Sequence, residues 1–260
     1  MKYFENNLTY NQVTFDLSNT LSPNEREIHS YHEILYYIGG EAELLTEKTQ
    51  IRLIPNSLLL IPKEKYHFFR LLKSGYFTRL KISVPDELVK KIGFTSMFSE
   101  ISICENINES VLHLLGRLHQ TLMQTQTEKT PFYAYNMFMM LLTEMDITGV
   151  FQGVQIESAE HSFLPEIISY ISQNLSEDLS VKTLSKKLNL SASTLTHSFK
   201  KELGISLHEY ITQRRLMLAK KLISKTQKPS KIYFDCGFRD YSSFYKAYIK
   251  HFGYPPSKEK

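Results

Sequence analysis

The chain of 260 residues contains only two cysteines, Cys104 and Cys236, which is too few for a disulfide framework and fits a reducing compartment. No stretch approaches the ~20 apolar residues of a membrane-spanning helix. The opening MKYFENNLTYNQ has no apolar run of the kind found in a secretory signal. The expectation is a cytoplasmic protein with no membrane partner. The sequence also lacks a Ser-His-Asp order, a glycine-rich phosphate loop and a Cys-x2-Cys pair. No catalytic residue is assigned, no cofactor is expected, and the chain is read as a non-enzyme.

What is present is a divided charge. The net charge of +4 resolves into +9 for residues 161–260 and −5 for residues 1–160. Cations concentrated at one end point to a polyanion partner for that end alone.

The composition changes twice along the chain. Residues 10–84 consist of short runs, VTFDL, EILYYIG, AELL, IRLI, SLLLIP, YHFFRL and FTRLKISV, parted by turn formers such as Gly39-Gly40 and Pro55-Asn56-Ser57. They predict a β sandwich or small barrel, assigned to residues 1–85. Residues 86–148 shift to helical spacing. Ile107, Val111, Leu114, Leu118 and Leu122 form a stripe, and PFYAYNMFMMLLTEM is apolar nearly all round. Such a helix has to be covered by its own core or by another subunit. Residues 149–161 carry no pattern and read as a linker. Residues 162–260 read as all helix.

Within that last segment one unit is written twice. In SASTLTHSFKKELG (191–204) and DYSSFYKAYIKHFG (240–253), Leu195, Phe199, Leu203 and Gly204 match Phe244, Tyr248, Phe252 and Gly253 at identical spacing. Ser191 and Asp240 stand at the same N-cap position. The preceding helices match as Leu184, Leu188 and Leu190 against Ile232, Cys236 and Phe238, with Asn189 or Gly237 at the turn. The pattern is helix-turn-helix, repeated. The apolar stripe docks each second helix. The opposite face is left to enter a major groove: Ser193, Thr196, His197 and Lys200 in the first unit; Ser242, Tyr245, Lys246 and Ile249 in the second, with Tyr241 at its N-terminal end. Hydroxyls, His and Lys suit base edges and phosphates. Lys200, Lys201 and Lys250 read as phosphate contacts. The helix between the units, 206–225, spans roughly 30 Å at 1.5 Å per residue. Successive major-groove faces lie about 34–36 Å apart, so one chain can read two of them.

These residues resemble the AraC/XylS family of bacterial transcription regulators. The likeness is carried by Tyr210-Ile211, Arg215-Leu216 and Ala219, and by Gly237-Phe238, Asp240, Ser242, Phe244, Tyr248, Gly253 and Pro255-Pro256. By that resemblance the base-reading positions are Ser193, Thr196, His197, Tyr241, Ser242 and Lys246, and Arg215 joins the DNA-binding set. The sequence departs from the family at Tyr233, where a small residue is usual. More weakly, His29, His32-Glu33-Ile34-Leu35, Gly40, Pro55, Leu58 to Pro62 and His67 resemble the family's cupin-like sensor. The resemblance implies an α+β multidomain protein: a cupin-like β-barrel, a helical dimerisation segment using Ile107, Val111, Leu114, Leu118 and Leu122, and an all-α double helix-turn-helix domain. It implies DNA, RNA polymerase, a second copy of the chain and a small-molecule effector, a sugar or other metabolite, as partners.

His29, Glu33, Tyr36, His67 and Arg79 are the candidate effector contacts. Imidazole and carboxylate also suit Zn or Fe. On a strand, however, His29 and Glu33 share one face while His32 takes the other, so at most His29, Glu33 and His67 converge, and no metal site is assigned. The competing reading is a metal-dependent cupin enzyme, a sugar isomerase or dioxygenase, fused to a helical interaction domain.

Overall fold

The computed structural model describes residues 5–18, 26–47, 49–72, 77–124, 127–151, 164–226 and 229–259. The expected linker lies outside the described residues from position 152 onward.

The N-terminal half is antiparallel β. Its strands are β1 (Glu5–Tyr10), β2 (Val13–Ser18), β3 (Arg26–Glu27), β4 (His32–Gly40), β5 (Ala42–Thr46), β6 (Gln50–Arg52), β7 (Ser57–Ile61), β8 (His67–Leu71), β9 (Phe77–Val84) and β10 (Ser102–Cys104). They form a six-stranded sheet in the order β1-β2-β9-β4-β7-β10 and a four-stranded sheet in the order β3-β8-β5-β6. The segment expected to be helical from residue 86 thus contributes a sheet strand. Ser102, Ile103 and Cys104 are too few to display a period, and pairing with Leu58 to Leu60 of β7 decides their conformation.

Strand alternation builds two cores from one sheet. Ile34, Tyr36, Leu58, Leu60, Leu80 and Ile82 face the helices. Leu35, Tyr37, Leu59, Ile61 and Phe77 face the four-stranded sheet and meet Leu44 and Phe69. A sheet covered on both sides needs apolar residues on both, which explains the unbroken runs EILYYI and SLLLI.

Three helices follow, α1 (Asp86–Lys91), α2 (Glu109–Gln124) and α3 (Thr130–Thr148). Val111, Leu115, Leu118 and Leu122 are fully buried against the sheet and α3, with Ile107 and Leu114 partly buried beside them. The stripe expected to form a dimer seam is therefore covered within the chain. The reason is that α3 and the sheet's second apolar face together cover it. Helix α3 turns Ala134, Phe138, Leu141, Leu142 and Met145 inward. Its opposite side leaves Tyr133, Met140 and Ile147 exposed at 40%, 59% and 74%.

The C-terminal half is helical: α4 (Leu164–Gln173), α5 (Val181–Lys187), α6 (Ala192–Leu203), α7 (Leu207–Thr226), α8 (Pro229–Asp235), α9 (Tyr241–Phe252) and a 3-10 turn at Pro256–Lys258. The repeated signals act alike in both units. Ser191 accepts from the Thr194 amide at 3.0 Å, and Asp240 from the Ser243 amide at 2.8 Å. Gly204 and Gly253 end α6 and α9 at φ 72° and 78°. Asn189 and Gly237 make the turns at φ 53° and 83°. Leu195, Phe199 and Leu203 in one unit, and Phe244 and Tyr248 in the other, are buried.

Gly237 carries a second constraint. A Cβ there would come within 2.3 Å of the Leu175 carbonyl and 2.7 Å of the Arg215 guanidinium. Gly253 has the same sign of φ and nothing within 4 Å. Gly253→Ala is expected to cost about 1 kcal/mol for left-handed backbone alone. Gly237→Ala is expected to cost a further ~1–3 kcal/mol for the clash. Urea unfolding of the two variants measures the difference, and equal losses would show that the close approach is not a constraint.

Candidate nucleic-acid interface and sensor site

The exposed faces of α6 and α9 form the candidate interface. Ser193, Thr196, His197, Lys200 and Lys201 are all exposed, as are Tyr241, Ser242, Tyr245, Lys246 and Lys250. Thr196 donates its hydroxyl to the Ala192 carbonyl at 2.9 Å. Its methyl is then the group left for an outside contact. In the second unit Tyr233 meets Tyr241 edge to face at 5.8 Å between ring centres. Tyr241 in turn lies 6.0 Å from Tyr245. The bulky residue at the position of family departure therefore supports the aromatic end of α9.

Arg215 does not belong to this face. Its Nε donates to the Leu175 carbonyl at 2.9 Å and its terminal nitrogen to the Glu177 carbonyl at 2.7 Å. The guanidinium lies half-buried beneath Gly237, and burial lowers its pKa. It ties the loop after α4 to the turn of the second unit. The sequence shows an Arg in a basic domain. What it hides is that α7 points this side chain at two carbonyls.

The sensor candidates divide between faces. Glu33 is buried between the sheets, with His29 Nε2 3.3 Å and His67 Nε2 3.9 Å from its Oε2. Burial opposes ionisation of Glu33, yet His29, His67 and Lys81 hold its carboxyl well below the usual range. Burial brings His67 down to about 4. Arg79 faces the same interior but pairs across the strands with Tyr37, whereas Glu33 pairs with Ser83. Four residues of strand separate Arg79 from Ser83, roughly 13 Å. Arg79 lies 3.6 Å from Asp16 and 5.3 Å from the centre of the Phe77 ring. Tyr36, expected among the effector contacts, lies outside this interior. Period two sends it to the helix-facing core, where its hydroxyl donates to Asn56 at 2.9 Å. His32 is also on that side, 3.1 Å from Asp86.

One feature of the site has no signal in the sequence: the two halves are joined. Ile28 and Tyr66 of the sensor are buried in the same core as Leu203, Tyr210 and Ile211. Tyr66 donates its hydroxyl to the Leu203 carbonyl at 2.6 Å. Tyr210 donates to Glu47, and Arg214 donates to the Glu64 carbonyl at 2.8 Å. Burial and Glu47 raise the Tyr210 hydroxyl well above its ordinary pKa, so it stays a donor.

A β sensor joined to two helix-turn-helix units with free basic faces defines a ligand-binding, DNA-binding regulator. The chain belongs to the AraC/XylS family of transcription regulators: a family model of the AraC-like ligand binding domain matches residues 20–133, and one of a helix-turn-helix domain matches residues 184–260. Among its relatives is the probable transcriptional regulator LumQ of Photobacterium leiognathi, 26% identical over 234 residues, covering 88% of this chain and 89% of that protein. The HTH-type transcriptional regulator YobQ of Bacillus subtilis is 26% identical over 229 residues, covering 88% and 85%. The Msm operon regulatory protein of Streptococcus mutans is 24% identical over 260 residues, covering 96% and 90%.

Arg215→Ala is expected to lower stability by about 1–3 kcal/mol, because two carbonyls lose a charged donor. Lys200→Ala is expected to stay within about 0.5 kcal/mol of the parent. Denaturant unfolding reads both, and an unchanged midpoint for Arg215→Ala would return that residue to the DNA-facing set.

Proposed function

We propose that each chain reads two successive major-groove segments of a specific DNA site, and that a small molecule bound in the sensor adjusts this binding. The observation that supports it most is that the two recognition faces stay exposed while their opposite faces are buried at equivalent positions, Leu195 and Phe199 in α6 and Phe244 and Tyr248 in α9. Ser193, Thr196 and His197 read bases in the first unit, with the Thr196 methyl suited to a thymine methyl. Tyr241, Ser242 and Lys246 do so in the second, with Tyr245 beside them. Lys200, Lys201 and Lys250 hold phosphate. For the effector, His29, Glu33, His67 and Arg79 supply the polar groups of the interior. Relatives named as transcription regulators favour this reading over a catalytic one.

Selection of full-length protein from a randomised DNA pool is expected to enrich two short elements about one turn apart. No enrichment at any salt concentration would refute it. Lys200→Ala is expected to weaken binding to all sequences and flatten the salt dependence by about one unit of slope. His197→Ala is expected to relax discrimination at one base position, and a uniform loss would make it a phosphate contact instead.

The homodimer belongs to this reading, with a changed seam. Tyr133, Met140 and Ile147 recur every seven residues on the outer side of α3, and all three are exposed. A second copy placed along this stripe would bury them. Met140→Glu is expected to convert a dimer to a monomer in analytical ultracentrifugation with little change in melting temperature. A dimer that persists would remove α3 from the seam.

A further inference from the structure

We propose that His29, Glu33 and His67 bind a divalent first-row transition-metal ion, and that its occupancy is coupled to the docking of the first helix-turn-helix unit on the sensor. One ligand atom from each of the three lies within 4.8 Å of the others, and all three residues are buried.

Hydrogen bonding sets the donor atoms. His29 Nδ1 lies 2.7 Å from the Tyr31 carbonyl, and His67 Nδ1 lies 3.3 Å from the Lys65 carbonyl. A carbonyl only accepts, so each Nδ1 carries the proton. Nε2 is then the ring nitrogen that each imidazole turns to Glu33. His29 Nε2 and Glu33 Oε1 have no hydrogen-bond partner among the described residues. The buried carboxylate needs a cation beside it: a proton on one Nε2 supplies one, and a metal ion held by all three groups takes its place. The Lys81 ammonium acts on Glu33 as well. Lys81 is itself balanced by Asp16 at 3.9 Å.

The shape fits an ion. Bonds of roughly 2.0–2.2 Å place neighbouring ligand atoms roughly 3–3.5 Å apart. The Nε2 to Oε2 separations are 3.3 and 3.9 Å and the widest separation among the three ligand atoms is 4.8 Å, so the two imidazoles have to close on each other by roughly 1–2 Å to bind. Carbonyl partners on Nδ1 are the outer support that metal-bound imidazoles use. The His29 ring is further held by stacking on Tyr31 at 4.0 Å. Two imidazoles and a carboxylate suit Zn, Fe, Co or Ni rather than Ca or Mg.

The coupling follows from alternation along the chain. Ile28 precedes His29, and Tyr66 precedes His67. Each ligand points inward while its neighbour lies in the core of the first helix-turn-helix unit. Tyr66 bonds the Leu203 carbonyl at the end of α6, and the Ile28 carbonyl accepts from His251 Nε2 of α9 at 3.3 Å. Drawing His29 and His67 toward an ion moves two of the residues through which the sensor holds the DNA-binding half.

Metal-stripped full-length protein titrated with Co2+ tests the site without DNA, so its failure is separate from that of the groove-reading proposal on which the regulatory meaning rests. One equivalent with visible ligand-field absorption is expected. Glu33→Gln and His67→Gln are each expected to weaken binding at least about ten-fold, with circular dichroism confirming that they fold. No stoichiometric binding, or binding untouched in both folded variants, overturns the site. Tyr66→Phe leaves every ligand in place. It is expected to change the Co2+ dissociation constant about five-fold or more, because coupling is reciprocal. An unchanged constant for Tyr66→Phe overturns the coupling.

Discussion

The whole arrangement depends on a seam in which the sensor completes the core of the first helix-turn-helix unit. Ile28 and Tyr66 stand among Leu195, Phe199, Leu203 and Tyr210 as if they were part of that unit. The helical half supplies most of that core itself, from Leu164 to Met217, and the sensor adds two fully buried side chains to it. Burial of residues such as these stabilises by about 1.5–3 kcal/mol each for the apolar parts. Polar atoms at the seam are satisfied rather than avoided. Tyr66 bonds Leu203, Tyr210 bonds Glu47, and Arg214 spans Glu64 and Ser172. Such bonds fix one register between the halves, since a slip would strand buried donors.

That seam also locates what the DNA-binding half leaves free. The sensor meets α6 at its C-terminal end, through Leu203 and Gly204, whose position lies against Phe68. It meets α9 at His251, again near the C-terminal end. The residues read as base contacts begin at Ser193 and Tyr241, at the other end of each helix, and they are exposed. The docked arrangement thus leaves both recognition faces open.

Local signals made much of this legible in the sequence. Caps, left-handed turn residues and apolar stripes are written in neighbouring residues, so Ser191, Asp240, Asn189, Gly237, Gly204 and Gly253 could all be assigned without any tertiary information. Alternation also placed His29 and Glu33 on one face and His32 on the other. The errors came where a distant partner decides. Residue type alone groups Tyr36 with Glu33, although three positions along a strand reverse the face. An Arg in a basic domain reads as a DNA contact, but the carbonyls of Leu175 and Glu177 take the Arg215 guanidinium. The α2 stripe found a sheet face in its own chain. Tyr66, Glu47 and Arg214 carry no sequence pattern at all, because their roles exist only once the two halves meet.

An effector acting through this geometry has limited means. It cannot work by uncovering recognition residues that are already open, so it has to act on where the two units stand. Within a chain their spacing is set by α7, a helix of 20 residues, roughly 30 Å long and stiff at that length. Between the units, Arg215 and the close approach at Gly237 further oppose flexing. What remains adjustable is the pose of the whole DNA-binding half on the sensor, through the contacts at Ile28 and Tyr66. In a dimer that pose sets the distance and angle between the two pairs of recognition helices. A modest shift at one seam then changes which spacing of DNA elements fits, and the ligand needs only to favour one pose over another by its own difference in affinity.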